Sequence, residues 1–166
     1  MNADTDGSIT YRKSTLQDGP AVWTLVKNSG VLDVNSSYCY LLLCQDFAET
    51  CVVAEMGGKL VGFVTAYRPP GREDVLFVWQ IGVDGAARGR GVASTLLDTL
   101  LSLDACQNIT YIETTISPSN KPSRALFQSL ARRLDTAIDE SEGFAAELFP
   151  EGAHEPERLF RLGPLK

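Results

Sequence analysis

The run Val75–Val83, reading VLFVWQIGV, constrains the fold more than any other stretch of the chain. Its residues are β-formers and are apolar at odd and even positions alike, so it predicts a central strand covered on both faces. Such a strand needs partners on each edge, and the sequence supplies them. Ile9, Tyr11 and Lys13 alternate with polar residues as a first strand does. Residues 51–56 and 60–67 are β-rich and flank Gly57-Gly58-Lys59, a strong hairpin signal. Pro69-Pro70-Gly71 stops the second of them. A further strand is expected at 110–116. Two closing strands are expected at 144–149 and 158–162, around a loop holding His154.

Helical signals fall between these runs. Asp18-Gly19-Pro20 reads as a helix start, with Asp18 as the cap and proline in the first turn, and Gly30 reads as its stop. Ser36 or Ser37 suits the cap of a second helix from Tyr38 to about Phe47, with Leu41, Leu42 and Cys44 inward. Residues 92–103 form a strongly apolar helix. Residues 120–134 form an amphipathic one, with Ala125, Leu126, Phe127 and Leu130 inward. The order β-α-α-β-β-β-α-β-α-β-β predicts an α/β (α+β) class, a mixed sheet with helices on both faces.

A length of 166 residues fits one domain, expected over 8–166, with residues 1–7 as a disordered tail. That length buries a core without disulfides or metals. The net charge of -6 and a pI near 4.8 repel phosphates, which argues against nucleic acid and suits a cationic substrate. Four cysteines without a CxxC pair and a single histidine leave little for a zinc site, so no metal is expected and the thiols read as reduced core residues. The start MNADTDGS lacks the features of a signal peptide, and the apolar runs are too short to span a bilayer. A cytoplasmic protein without a membrane partner is expected.

One motif carries chemistry. After the central strand comes Ala87-Arg88-Gly89-Arg90-Gly91-Val92-Ala93, which opens the third helix. Its glycines allow close approach of backbone to a ligand. The first amides of the helix and its positive dipole end suit a pyrophosphate, and Arg88 and Arg90 add charge. A glycine-rich turn with two solvated arginines is the plain alternative. A Walker loop would need a lysine followed by Ser or Thr, and a dinucleotide fingerprint would need a third glycine early in a βαβ unit.

The segment VWQIGVDGAARGRGVASTLLDTLL resembles the acetyl-CoA motif of the GNAT superfamily, R/Q-x-x-G-x-G/A after an apolar strand, with Arg88, Gly91 and Ala93 at its key positions. The strand 110–116, Asn120 and an inward aromatic near 125–127 are similar to its second motif. The resemblance implies a GNAT-like, mostly antiparallel central sheet and acetyl-CoA as co-substrate. It implies backbone bonds from Ile81, Gly82 and Val83 to pantetheine. It places the pyrophosphate on Arg88, Gly89, Arg90, Gly91, Val92 and Ala93, and it sets Asn120 and Phe127 beside the pantetheine arm. At Phe127 the family often has a tyrosine that acts as general acid. Phenylalanine has no proton to give.

An alkylammonium, with a pKa of about 10.4, must lose a proton before it attacks a thioester. Candidate groups for that task are Asp33, Asn35 and Tyr38, then Trp79 and Glu113, then His154 and Glu155. Each has a plain alternative: Asp33 and Asn35 as turn formers, Trp79 as core, Glu113 on a solvent-facing edge, His154 as an ordinary loop residue. The longer strings LDVNSSYCYLLLCQDFAETCVVAE, GFVTAYRPP and ETTISPSNKPSRALF resemble the branch of the superfamily that acts on a small diamino acid. That likeness implies transfer to the γ-amine of L-2,4-diaminobutyrate, in ectoine synthesis, by a homodimer in a bacterial cytoplasm. For that task Glu113, working through water, is the expected base. Asp33, Glu113 and Glu155 are candidates to receive ammonium groups, Trp79 and Tyr38 to wall the chain, and Arg68 or Arg72 to meet the carboxylate. Another amine, including a protein amine, or a non-catalytic acyl-CoA-binding sensor are the other readings.

Overall fold

A computed structural model describes residues 7–166, and the expected tail lies, apart from Gly7, outside them. The chain forms two compact units, Met1–Tyr67 with Gln80–Gln107 and Arg68–Trp79 with Asn108–Lys166.

In the first unit β1 (Ile9–Lys13) pairs antiparallel with β2 (Cys51–Met56), placing Tyr11 opposite Ala54. β2 pairs antiparallel with β3 (Lys59–Tyr67), and Val53 faces Phe63. Gly57 and Gly58 turn that hairpin with φ of 57° and 76°, which L side chains resist. Residues 80–83 of β4 (Val75–Val83) lie along β3: the Thr65 hydroxyl bonds the Gln80 main chain, and the Asp84 amide donates to the Val61 carbonyl at 2.7 Å.

Helices α1 (Gly19–Ser29) and α3 (Val92–Ser102) cover opposite faces of β3. A Cβ on Gly62 would stand 3.0 Å from Val92 and 3.3 Å from Leu96 of α3. The next residue, Phe63, points the other way, to where Leu25 of α1 also reaches. Helix α2 (Ser37–Asp46) is capped by Ser36, whose hydroxyl accepts from the Cys39 amide. It buries Tyr40 and Cys44, while Leu41 is half-buried and Leu42 exposed, so the expected stripe is rotated toward the tyrosine.

In the second unit residues 75–78 of β4 pair parallel with β5 (Tyr111–Ile116). β7 (Glu157–Leu162) runs antiparallel to β5, and β6 (Ile138–Phe144) antiparallel to β7. Helix α4 (Lys121–Arg133) buries Phe127, Leu130 and Ala131, and Ala125 is exposed. The strand order is β1-β2-β3-β4-β5-β7-β6. The expected mixed, mostly antiparallel sheet is thus observed, with β4–β5 its parallel pair.

Two further expectations are corrected. The strand expected at 144–149 lies instead at Ile138–Phe144, followed by a tight turn at Ala146–Leu148. Its sequence, IDESEGF, is polar because all of it except Ile138 is exposed, so it lacks the apolar alternation that marks a strand. The expected double covering of β4 is uneven, and on one side only Val75 is fully buried. Val78, Gln80 and Gly82 are buried, whereas Phe77, Trp79, Ile81 and Val83 are half-buried.

All four cysteines are thiols outside any disulfide. Burial pushes Cys44 up to about 11 and Cys51 up to about 12, so neither is a thiolate at neutral pH.

Asp18 does not cap α1. It closes a turn with Thr15, accepting from the Thr15 amide at 2.7 Å, and its carboxylate takes two bonds from Arg12 at 2.8 and 2.9 Å. Arg12 also bridges to Glu55 at 2.7 Å, tying β1, β2 and the start of α1 together. Burial raises the Asp18 pKa, but the bonds from Arg12 and Thr15 outweigh it and leave it below the ordinary 3.8. A lowered folded value stabilises the native state above pH 3.8, and this contribution is lost as pH falls through the folded value. Asp18→Asn should flatten the fall of unfolding free energy in that acid window, as read by urea denaturation at stepped pH.

Candidate active site

After β4 the chain makes a tight turn. Asp84 Oδ1 accepts from the Ala86 amide at 2.8 Å, and Ala87, fully buried, anchors the loop. Gly89 and Gly91 then adopt φ of 75° and 73°, and no atom lies within 4 Å of a Cβ built on either. Gly91 occupies the capping position of α3 and offers no side-chain acceptor. The Thr95 amide bonds the Gly91 carbonyl at 3.0 Å, so the amides of Val92, Ala93 and Ser94 precede the helical ladder. This is an anion cradle: three donors and the positive end of an apolar helix behind an exposed glycine loop. Arg88 is exposed beside it, without an ion pair among the described residues. Arg90 turns elsewhere, donating to Met56 Sδ at 3.0 Å and to the Gly7 carbonyl.

The expected pantetheine strand shows a division of labour. Ile81 and Val83 share the half-buried side of β4. On the buried side, a Cβ on Gly82 would come within 2.6 Å of Phe63, 2.9 Å of Leu25 and 3.1 Å of Leu32. The missing side chain at 82 is therefore space into which Leu32 packs, and Leu32 leads into the segment that carries Asp33.

That segment is held by its main chain. Gln80 Nε2 donates to the Asp33 carbonyl at 3.0 Å, and Trp23 Nε1 donates to the Asn35 carbonyl at 3.2 Å. The Tyr40 hydroxyl donates to Gln80 Oε1 at 2.9 Å and receives the Asn35 side-chain amide at 3.4 Å. The Asp33 side chain faces solvent and Asn35 is half-buried. Tyr38, 67% exposed, stays outside this network. Sequence reasoning missed Gln80. A lone glutamine inside an apolar strand was the available signal, since a buried amide needs partners.

The second unit holds the other candidates. Glu113 on β5 is 2% exposed, which rules out the solvent-facing edge as its setting. Arg72 Nη1 donates to its two oxygens at 3.1 and 2.9 Å, and Arg161, its cross-strand partner on β7, approaches at 3.8 Å. Arg161 in turn stacks over Tyr111 at 3.7 Å. Two guanidiniums on one buried carboxylate fix its position. Arg68 donates to the Glu73 carbonyl at 3.0 Å.

Trp79 is half-buried and Phe127 is buried, 3% exposed. Asn120 caps α4, its side chain accepting from the Ser123 amide at 3.2 Å. Just before it, Ser119 gives its amide, at 3.2 Å, and its hydroxyl to the Glu155 carboxylate. His154 stacks on Phe149 at 3.9 Å and its Nδ1 meets the Glu155 carbonyl. Glu155 and Asn120 therefore converge at the start of α4, with Glu155 committed to Ser119. Among the described residues no cluster of His, Cys, Asp and Glu is suited to a metal.

Gly82→Ala must displace Phe63 or Leu25 and lift Leu32, costing about 1–3 kcal/mol of stability. A drop in thermal midpoint without loss of helical circular dichroism would register this.

Residues 22–131 match the pattern of the acetyltransferase (GNAT) family. The L-2,4-diaminobutyric acid acetyltransferase of Halalkalibacterium halodurans is 55% identical over 96% of this chain and 84% of its own length. That of Marinococcus halophilus is 54% identical over 95% and 91%. The solved diaminobutyrate acetyltransferase of Paenibacillus lautus, in complex with L-2,4-diaminobutyric acid and coenzyme A, superposes with a TM-score of 0.92. It is 43% identical, covering 95% of this chain and 96% of that one. At 18% identity and a TM-score of 0.73, Ard1 of Thermoplasma volcanium shares the fold. The family match over residues 22–131 and these identities place the sequence: the chain belongs to the acetyltransferase (GNAT) family, alongside the L-2,4-diaminobutyric acid acetyltransferases.

Proposed function

We propose that this chain transfers the acetyl group of acetyl-CoA to the γ-amine of L-2,4-diaminobutyrate, giving N4-acetyl-L-2,4-diaminobutyrate for ectoine synthesis. The observation that carries this is 55% identity to a diaminobutyrate acetyltransferase along 96% of the chain. The uncapped start of α3 supports the cofactor half of the reading, because a pyrophosphate satisfies the amides that Gly91 leaves without a side-chain acceptor.

The deprotonated amine attacks the thioester carbonyl, the carbon–sulfur bond breaks, and the coenzyme leaves as a thiolate that takes a proton. The amides of Arg88, Gly89, Arg90, Gly91, Val92 and Ala93 hold the pyrophosphate, with Arg88 as the free cationic partner. The main chain at Ile81, Gly82 and Val83 meets pantetheine, and Asn120 and Phe127 flank it. Asp33, Asn35, Tyr38, Trp79, His154 and Glu155 receive the diamino acid. Glu113 is the base. With Arg72 bonded to both of its oxygens and Arg161 at 3.8 Å, it accepts the proton through a water. Phe127 carries no hydroxyl, so protonation of the thiolate falls to another group or to water.

On this reading residues 8–166 act as one catalytic domain, working as a homodimer in the cytoplasm. Among the described residues no helix is long and apolar enough to cross a membrane.

A free-thiol assay with acetyl-CoA should show turnover with L-2,4-diaminobutyrate and far less with lysine, ornithine or a peptide, with the γ-N-acetyl product identified by NMR. Thiol release with other amines only would discard the substrate. Coenzyme binding with no release from any amine would support the sensor reading. Glu113→Gln should lower kcat by about a hundredfold or more. An enzyme with near-normal kcat would remove Glu113 as base. Arg88→Ala should raise the acetyl-CoA KM about tenfold with kcat preserved.

A further inference from the structure

Gln80 lies in the middle of β4 and is 6% exposed. Its neighbours Val78 and Gly82 on the same side of the strand are buried and apolar, so an apolar residue would pack there at no polar cost. The chain instead keeps an amide whose two ends are both used. Nε2 donates to the Asp33 carbonyl at 3.0 Å, and Oε1 accepts from Tyr40 at 2.9 Å. The Tyr40 hydroxyl also lies 3.5 Å from the Asp33 carbonyl and receives Asn35 Nδ2. A buried glutamine thus reaches out of the sheet to a main-chain carbonyl of a segment without regular secondary structure. Trp23 holds the same segment two residues on, at the Asn35 carbonyl. With its carbonyls drawn inward at 33 and 35, the segment turns the Asp33 carboxylate toward solvent.

We infer that Gln80 is a positioning residue for acceptor specificity: its side-chain amide, oriented by Tyr40, locks the 33–35 segment so that Asp33 and Asn35 present a fixed site to the ammonium groups of the diamino acid. The inference rests on the reading of Asp33 and Asn35 as acceptor-binding residues. Gln80 itself touches no reacting atom. Its side-chain partners are Asp33 and Tyr40, on the acceptor side, while its main chain keeps the Thr65 bonds and the run 81–83 in place whatever side chain stands at 80.

Steady-state kinetics of Gln80→Met, Tyr40→Phe and Asp33→Ala, with each substrate varied in turn, test this. Methionine keeps the volume and the apolar fit and removes the hydrogen bonds. Gln80→Met should raise the diaminobutyrate KM about tenfold, leave the acetyl-CoA KM within about twofold, and narrow the preference for diaminobutyrate over ornithine. Tyr40→Phe, which loses one hydroxyl and stays folded, should move the same parameter in the same direction by a smaller factor. It carries the test if Gln80→Met fails to fold. An unchanged diaminobutyrate KM in these variants, or an equal rise in both KM values, overturns the inference. Asp33→Ala separates the two levels. If it raises the acceptor KM and Gln80→Met and Tyr40→Phe do not, the acceptor segment stands and the role of Gln80 falls. If Asp33→Ala has no effect, the reading of the segment fails, and the inference with it.

Discussion

The close approach of helices to β3 and β4 in the first unit decides where its functional pieces stand. Gly62 lets Val92 and Leu96 settle on one face of β3, and this sets the height of α3 and of the loop that opens it. Gly82 lets Leu25 and Leu32 settle on the other face. A methyl group at either position would push a helix or a loop outward by the contact it replaced. The anion cradle hangs from the first contact and the 32–35 segment from the second. Neither glycine is needed for an unusual φ. Each is needed for distance.

Three helices of this chain begin in two ways, and the contrast explains what each beginning does. Ser36 gives α2 a side-chain oxygen, and Asn120 does the same for α4. Those amides are spent on structure. α3 begins at a glycine with nothing to offer, held at a φ of 73° that a serine or aspartate would resist. Local stability and ligand recognition compete for the same donors, and on the proposed reading the amides of α3 are left for recognition. Glu113 shows a related compromise. A carboxylate this deep needs partners, and Arg72 and Arg161 supply them at the expense of leaving its oxygens engaged.

The order of helices and strands was legible because periodicity, proline and glycine report local structure directly. Gly30, Gly57, Gly58 and Ser36 serve the roles that their residue types announce. The turn and helix start of the glycine-arginine loop were legible because they lie in consecutive residues. Reading failed where long-range pairing decides. IDESEGF becomes a strand only because β7 offers an edge, and Asp18 leaves its helix because Arg12, six residues earlier, claims it. Arg88 and Arg90 look equivalent in sequence, yet Met56 and Gly7 draw one of them away. The role of Gln80 was hidden for the same reason: the residue type signals a buried amide, but its partner is the carbonyl of Asp33, 47 residues distant along the chain.

The bare start of α3 has a thermodynamic consequence. A helix whose first turn lacks a side-chain cap is finished by whatever anion binds it, and on the proposed reading that anion belongs to the coenzyme. The coenzyme is then a structural component as well as a reactant, completing the secondary structure of the domain that uses it. Folding and occupancy become linked, so the stability of the first unit rises with the logarithm of the coenzyme concentration above its dissociation constant. A cell that keeps acetyl-CoA abundant would hold this protein in its sturdiest form when it has the most to do.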